Sequence, residues 1–175
     1  MLQRAIFLDR DGVINKEKNY LYKINDFEFL DGVFDSCSYL LKLNYKIILI
    51  TNQSGISRGY YTENDFQNLT KWMLEEFKRN NIDILDVFHC PHGPNSTCFC
   101  RKPKPGMFLM AKEKYNIDMK NSWAIGDKEN DIKAATDSGI TKTILVKSGH
   151  KVNEFESNAM HSINSINNVN QIILN

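Results

Sequence analysis

What this chain lacks narrows its options first. Across 175 residues no apolar run approaches the roughly 20 residues that a membrane-spanning helix needs, so no membrane partner is expected. It also lacks a large charge of one sign. The 22 Lys and Arg against 21 Asp and Glu leave a formal net charge of +1. That argues against nucleic acid as a partner while allowing a local basic pocket. The first apolar run is cut at Asp9, too soon for a secretory leader, and a cytoplasmic location is the expectation. Cysteines number only four; in a reducing compartment they indicate metal binding or buried thiols before disulfides. No internal repeat is present. The rest of the composition, 42% hydrophobic and 25% charged, is ordinary for a globular chain. The length suits one domain, residues 1–175, with a real core.

What is present is alternation. Ala5–Leu8 reads as a short buried strand, and Asp31–Asn44 as a helix with Val33, Phe34, Cys37, Leu40 and Leu41 at helical spacing. A second strand is expected over Lys46–Ile50. A helix follows over Thr62–Asn80, capped by Thr62 with Glu63 and Asp65 in its first turn. Ile82–Phe88 is a third strand, Gly106–Tyr115 a helix, Ser122–Ile125 a fourth strand, Asn130–Ser138 a helix stopped by Gly139, and Thr143–Val146 a fifth strand. The Asn/Ser-rich stretch from Asn153 to Asn170 reads as a polar tail, with an apolar segment near His161–Ile163 and a short helix near Val169–Leu174. Strands separated by helices predict an α/β fold, a mostly parallel sheet with helices on both faces. Residues 15–30 carry Tyr20, Tyr22, Phe27 and Phe29 and are too long for a tight connection; a flap over the site and a packed surface loop both fit.

The chemistry sits at strand ends, where open parallel sheets bind ligands. Asp9-Arg10-Asp11-Gly12 directly follows the first strand. Side chains two apart share a face, so Asp9 and Asp11 can divide the work of nucleophile and proton carrier. The second strand runs into Thr51-Asn52-Gln53-Ser54-Gly55, a hydroxyl in a Gly-containing turn that suits an anion such as phosphate. A helix cap is the plainer alternative. Arg101-Lys102-Pro103-Lys104-Pro105-Gly106-Met107 places two cations before a helix. Lys102 can serve as a point charge on a phosphoryl oxygen and Arg101 can grip a second oxyanion, while Lys104 reads as solvated. The fourth strand runs into Gly126-Asp127-Lys128-Glu129-Asn130-Asp131. Asp127 and Asp131 would join the first carboxylate pair if their strands are neighbours, and clustered carboxylates call for a hard cation, Mg²⁺. Asp131 also reads as a helix-start carboxylate.

The cysteines form a second constellation. Cys90-Pro91-His92 and Cys98-Phe99-Cys100 lead straight into Arg101. Three thiolates and an imidazole fill a tetrahedral Zn²⁺ site with no position open for water, which makes it structural. His92 is preferred over its rival His89, because Cys-x-His lets both side chains face one ion. Cys37, on an apolar helix face, is read as core.

In chain order these pieces are Asp-x-Asp, Thr, Lys, then Asp with a second Asp. Over residues 5 to about 146 the chain resembles the haloacid dehalogenase (HAD) superfamily of phosphatases. With the Cys/His loop, Thr-Asn-Gln-Ser-Gly and Arg-Lys-Pro-x-Pro-Gly-Met, it is similar to the D-glycero-D-manno-heptose 1,7-bisphosphate phosphatases within that superfamily. The resemblance implies a three-layer Rossmann-like fold with a minimal cap or none, and a small sugar bisphosphate as substrate on the route to nucleotide-activated heptose for lipopolysaccharide. It implies Asp9 as nucleophile forming an aspartyl phosphate, and Asp11 as general acid and base. Mg²⁺ would be held by Asp9, the Asp11 carbonyl and Asp127, with the phosphoryl group stabilised by Thr51 and Lys102. Asn52, Gln53, Ser54, Arg101 and Lys128 would bind substrate, and Asp131 would orient Lys102 or metal-bound water. A monomer is expected. Histidinol-phosphate phosphatases share the Cys/His loop and the first motifs and are the rival enzyme class. A phosphoacceptor receiver module is the rival from outside enzymes; it would need its phosphorylated Asp on a middle strand and has no reason for a zinc clip.

Overall fold

A computed structural model of the chain describes residues 2–151 and 156–174. Six strands are β1 (Ala5–Leu8), β2 (Lys46–Asn52), β3 (Ile84–Cys90), β4 (Trp123–Gly126), β5 (Lys142–Val146) and β6 (His161–Ile163). They form one sheet in the order β3-β2-β1-β4-β5-β6, and every pairing is parallel. The helices are α1 (Val33–Lys42), α2 (Glu63–Arg79), α3 (Gly106–Tyr115) and α4 (Glu129–Asp137). The order reverses between β1 and β4, so the crevice beyond those two strand ends is the topological switch point where such sheets bind ligands.

The strand sequences explain the layers. Ile6 and Leu8 of β1, with Ile47 and Leu49 of β2, pack on one face against Val33, Cys37 and Leu40 of α1 and Leu69, Met73 and Phe77 of α2. Their neighbours Ala5, Phe7, Ile48 and Ile50 pack on the other face against Met107, Phe108 and Ala111 of α3 and Ala134 and Ala135 of α4. Strands buried on both faces read as continuous apolar runs rather than alternating ones, as these do. The period of two still decides which helix each residue meets.

Several boundaries differ from the sequence expectation. Helix α1 starts at Val33 because Gly32 is left-handed, φ 75°, and a side chain there would collide with Asn167. Strand β2 extends to Asn52, so Thr51 and Asn52 belong to the sheet rather than to the following turn. Strand β3 is shifted to end at Cys90. The tail forms β6 and a 3-10 helix over Ile166–Gln171 in place of a helix at 169–174; residues 153–155 of the polar stretch lie outside the described residues. Thr62 does cap α2: its hydroxyl accepts from the Asp65 N–H at 3.1 Å, and the Asp65 carboxylate accepts from the Thr62 N–H at 2.8 Å. Among the described residues no helix is long and apolar enough to cross a membrane.

Candidate active site

A polar cavity of about 250 Å³ opens at the C-terminal ends of the strands, lined by Asp9, Asp11, Asn52, Gln53, Ser54, Arg101, Lys102, Lys128 and Asp131 among others. Thr51 and Asp127, 1% and 0% exposed, are buried at the same strand ends without lining it.

At the centre is Lys102, 3% exposed. Its ammonium lies 2.9 Å from Asp9 Oδ1 and 2.5 Å from Asp131 Oδ1, and donates to the Ile50 carbonyl at 2.8 Å. Asn52 fixes its backbone from both sides: the Lys102 N–H donates to Asn52 Oδ1, and Asn52 Nδ2 donates to the Lys102 carbonyl, each at 3.1 Å. The strand pattern accounts for the meeting. Asp9 follows Phe7 on the face covered by α3 and α4; Lys102 lies in the turn that leads into α3, and Asp131 in the first turn of α4. Asp131 contacts Lys102 and also stands at the helix start, where its other oxygen accepts from the Lys128 N–H at 3.0 Å. Burial disfavours the Lys102 ammonium, but the carboxylates of Asp131 and Asp9 outweigh it and hold it charged above the usual lysine range. Burial pushes the Asp9 carboxyl up to about 6, with Lys102 opposing and Asp131 and Asp11 adding to the rise.

Asp11 is held differently. Both its oxygens accept from Arg10 Nη2, at 2.8 and 2.9 Å, and it also accepts from Asn15 Nδ2 at 3.0 Å and Gln53 Nε2 at 3.1 Å. Burial alone would raise its proton affinity; the Arg10 charge and these hydrogen bonds overcome that and keep the carboxyl below the usual carboxylate range. Gln53 is itself fully engaged. Its amide also donates to Thr51 Oγ1 at 2.8 Å, its carbonyl oxygen accepts from the Tyr61 hydroxyl at 2.5 Å, and its backbone N–H donates to the Cys90 carbonyl at 2.7 Å.

Asp127 stands beside Asp9. One oxygen, Oδ2, accepts from the His150 backbone N–H at 3.0 Å and pairs with His150 Nδ1 at 2.7 Å. The other, Oδ1, is buried with no hydrogen-bond partner among the described residues. Asp9, Asp127 and Asp131 each bring a carboxylate oxygen within 4.8 Å of the others. A hard cation would satisfy an orphaned oxygen on a residue of this carboxylate cluster; Asp127 also forms a second group, with Glu17 and His150, that could hold a metal ion. Burial and then the Asp9 charge raise the Asp127 carboxyl, against the His150 hydrogen bonds. Gly12, φ 86°, is needed here because a Cβ at that position would lie 2.5 Å from Asp127 Oδ2.

The second constellation also assembles. Cys90 Sγ lies 3.1 Å from Cys100 Sγ and 3.8 Å from Cys98 Sγ, and His92 Nδ1 is 3.4 Å from both Cys90 and Cys100. A tetrahedron of thiolates about 2.3 Å from zinc has edges of about 3.8 Å; the Cys90–Cys98 spacing matches that edge, the Cys90–Cys100 spacing is shorter, and all four ligand atoms lie within 4.8 Å of one another. His89 is directed elsewhere: it pairs with Glu63 at 2.8 Å and stacks on Phe66. Cys37 is core, 0% exposed, and burial pushes its thiol up to about 12. The cluster is tied to the active site through Arg101, whose guanidinium donates to the His92 carbonyl at 3.0 Å.

Residues 15–30 form a packed loop whose tip lines the cavity. The base is packed: Asn15 bridges to Phe29, and Phe29 contacts Phe27, Phe34, Trp72 and Phe77. The tip, Glu17 to Leu21, lines the cavity, with Tyr20 against Tyr60 and Tyr22 stacked on Tyr61. Three site residues escaped the sequence reading. Arg10, 1% exposed, was given no role between the two aspartates. Tyr61 acts through Gln53. His150 lies after the fifth strand, in a stretch without a motif; the only signal was a polar residue at a strand end.

Comparison with known proteins identifies the family. A family profile described as HAD-hydrolase-like matches residues 99–169. The D-glycero-alpha-D-manno-heptose-1,7-bisphosphate 7-phosphatase of Photorhabdus laumondii is 49% identical over 168 residues, covering 92% of each chain. The corresponding beta-heptose enzyme of Vibrio cholerae is 44% identical over 161 residues, covering 88% of this chain and 87% of that one. The crystal structure of the D,D-heptose 1,7-bisphosphate phosphatase from B. bronchiseptica, in complex with magnesium and phosphate, superposes with a TM-score of 0.85 at 28% identity over 97% of both chains. The chain belongs to the D-glycero-D-manno-heptose-1,7-bisphosphate 7-phosphatase family of HAD-like hydrolases.

Proposed function

We propose that this chain is a phosphatase that removes the 7-phosphate of D-glycero-D-manno-heptose 1,7-bisphosphate, on the route to nucleotide-activated heptose, through an aspartyl phosphate at Asp9. The observation that carries the reading is the buried Lys102 ammonium held between Asp9 and Asp131 beside the orphaned Asp127 oxygen. A group of fixed, buried charges beside a cavity can bind and polarise a phosphoryl group with little reorganisation.

In this reading an Asp9 carboxylate oxygen attacks phosphorus, the bond from phosphorus to the sugar oxygen breaks, and Asp11 gives that oxygen its proton. Water then attacks the aspartyl phosphate while Asp11 takes the water's proton, releasing inorganic phosphate and restoring Asp9. In the free chain Arg10 holds Asp11 ionised. A phosphate dianion bound beside it raises its proton affinity by like-charge repulsion, so the acid form is recruited when substrate arrives. Lys102 neutralises a phosphoryl oxygen. Thr51 accepts from Gln53 and keeps its own hydroxyl proton for another. Gln53 and Tyr61 position Asp11 and Thr51, and Asn52 positions Lys102. Arg101 and Lys128, on the cavity wall, would bind the part of the substrate that is not cleaved.

Asp9, the Asp11 main-chain carbonyl and Asp127 would hold Mg²⁺, an assignment supported by the oxygen-only donor set. When bound it supplies charge neutralisation to the phosphate and to the crowded carboxylates. Cys90, His92, Cys98 and Cys100 would hold a structural Zn²⁺. The test is phosphate release from both anomers of heptose 1,7-bisphosphate and from histidinol phosphate. The proposal expects kcat/KM to be highest for a heptose bisphosphate; preference for histidinol phosphate would overturn the substrate while leaving the chemistry in place.

A further inference from the structure

The loop after β5 is not part of any motif that pointed to the active site, yet it touches both halves of it. Ser148 Oγ donates to the Gly12 carbonyl at 2.7 Å, in the turn that carries Asp9 and Asp11. Gly149 comes so close to Asp127 that a Cβ there would lie 2.1 Å from its Oδ2. His150 then meets that same oxygen twice, through its backbone N–H at 3.0 Å and its ring Nδ1 at 2.7 Å. Three consecutive residues therefore join the end of β1 to the end of β4, two chain regions more than 100 residues apart.

We propose that His150 is a positioning residue that sets the orientation of the Asp127 carboxylate for a divalent cation. This rests on the reading that Asp127 is a metal ligand. A carboxylate on one torsion can present either oxygen, or neither squarely, to its neighbours. Two donors converging on Oδ2 remove that freedom and leave Oδ1 free, and Oδ1 is the buried oxygen with no partner. The ring also covers Asp127, which is 0% exposed, while His150 keeps 37% of its own side chain exposed at the cavity. Groups that hydrogen-bond to a ligand in this way fix its geometry, and their removal lowers metal affinity by about 10–100-fold. Asn at this position would place its amide nitrogen where Nδ1 stands, because both atoms are bonded to Cγ, so the role needs a donor rather than an imidazole.

The test titrates Mg²⁺ calorimetrically into substrate-free protein that retains its zinc, comparing wild type, His150→Ala and His150→Asn. The expected result is a Mg²⁺ affinity about 10–100-fold weaker in His150→Ala, restored toward wild type in His150→Asn, with kcat recovering in both at saturating Mg²⁺. Unchanged Mg²⁺ affinity in His150→Ala with a raised KM for substrate would overturn the inference and make His150 a substrate contact. Equal weakening in both variants would overturn the donor role. Absence of Mg²⁺ binding in wild type would instead refute the metal reading beneath it, which separates the two failures. Unchanged zinc content and melting temperature in the variants would exclude a general loss of fold.

Discussion

Asp9 carries a burial penalty in the metal-free fold. Its carboxyl is pushed up to about 6 from 3.8 by burial, despite Lys102 at 2.9 Å. The folded chain therefore binds this proton more tightly than the unfolded chain, so the contribution is fully present below about pH 4 and is lost as pH rises through about 6. Asn cannot ionise and escapes the loss. Without Mg²⁺, Asp9→Asn should match wild type in thermal stability near pH 4 and exceed it at pH 7.5 by up to about 3 kcal/mol, on the order of 5–10 °C in a chain of this size. A stability difference that stays flat across that range would show that the buried charge carries no such penalty. The same variant should have no turnover, because an amide cannot accept the phosphoryl group; a purified Asp9→Asn protein that keeps substantial activity would remove Asp9 as nucleophile. At Asp11 the opposite balance holds, and Asp11→Asn should lose far more in kcat than in substrate binding, read by comparing its kcat and Kd with wild type.

The Cys/His loop and the helix it precedes, α3, belong to the scale of elements. The Cys/His loop leaves β3 at Cys90 and returns to the sheet at Lys102, with Arg101 bonded to the His92 carbonyl on the way. Elemental analysis of protein purified without chelator should find about one Zn²⁺ per chain, since four ligands of the right type are already within reach. Cys98→Ser should lose the zinc and lower turnover indirectly by loosening Arg101 and Lys102; a zinc-free wild type would contradict the four-ligand assignment. This loop was legible in the sequence because ligand chemistry and close spacing sit in one short stretch. The strand and helix order was equally legible, because apolar runs, Thr62 and Gly139 mark boundaries locally. Less legible were contacts made by distant segments. That Asp9 neighbours Asp127 depends on β1 pairing with β4, which no local pattern reveals. Tyr61 and His150 were missed for the same reason, since each acts through a partner that the fold brings to it, Gln53 and Asp127; Arg10 pairs with its own neighbour Asp11 and is held by the Leu21 carbonyl. Asn52 and Gln53 were expected to bind substrate, and their side chains hydrogen-bond to Lys102, Asp11, Thr51 and Tyr61.

At the scale of the whole molecule, the sheet order puts its switch point beneath a polar cavity that is roofed on one side by the Glu17–Leu21 tip. Charges concentrate by depth: Lys102 is buried with the carboxylates, while Arg101 and Lys128 stand on the wall. A bisphosphate brings a second anion to that wall. Arg101→Ala should therefore lower kcat/KM for heptose 1,7-bisphosphate much more than for a small phosphate monoester, chiefly through KM. Because Arg101 also holds the His92 carbonyl, equal losses on both substrates would assign it to the scaffold instead. The central claim is that this cavity presents one particular phosphate of a heptose bisphosphate to Asp9. Phosphorus NMR of heptose 1,7-bisphosphate turning over with the wild-type protein and Mg²⁺ tests that most directly. The account predicts that the 7-phosphate signal is replaced by inorganic phosphate while the 1-phosphate signal persists; loss of the 1-phosphate first, or no conversion by zinc-replete protein, would contradict it.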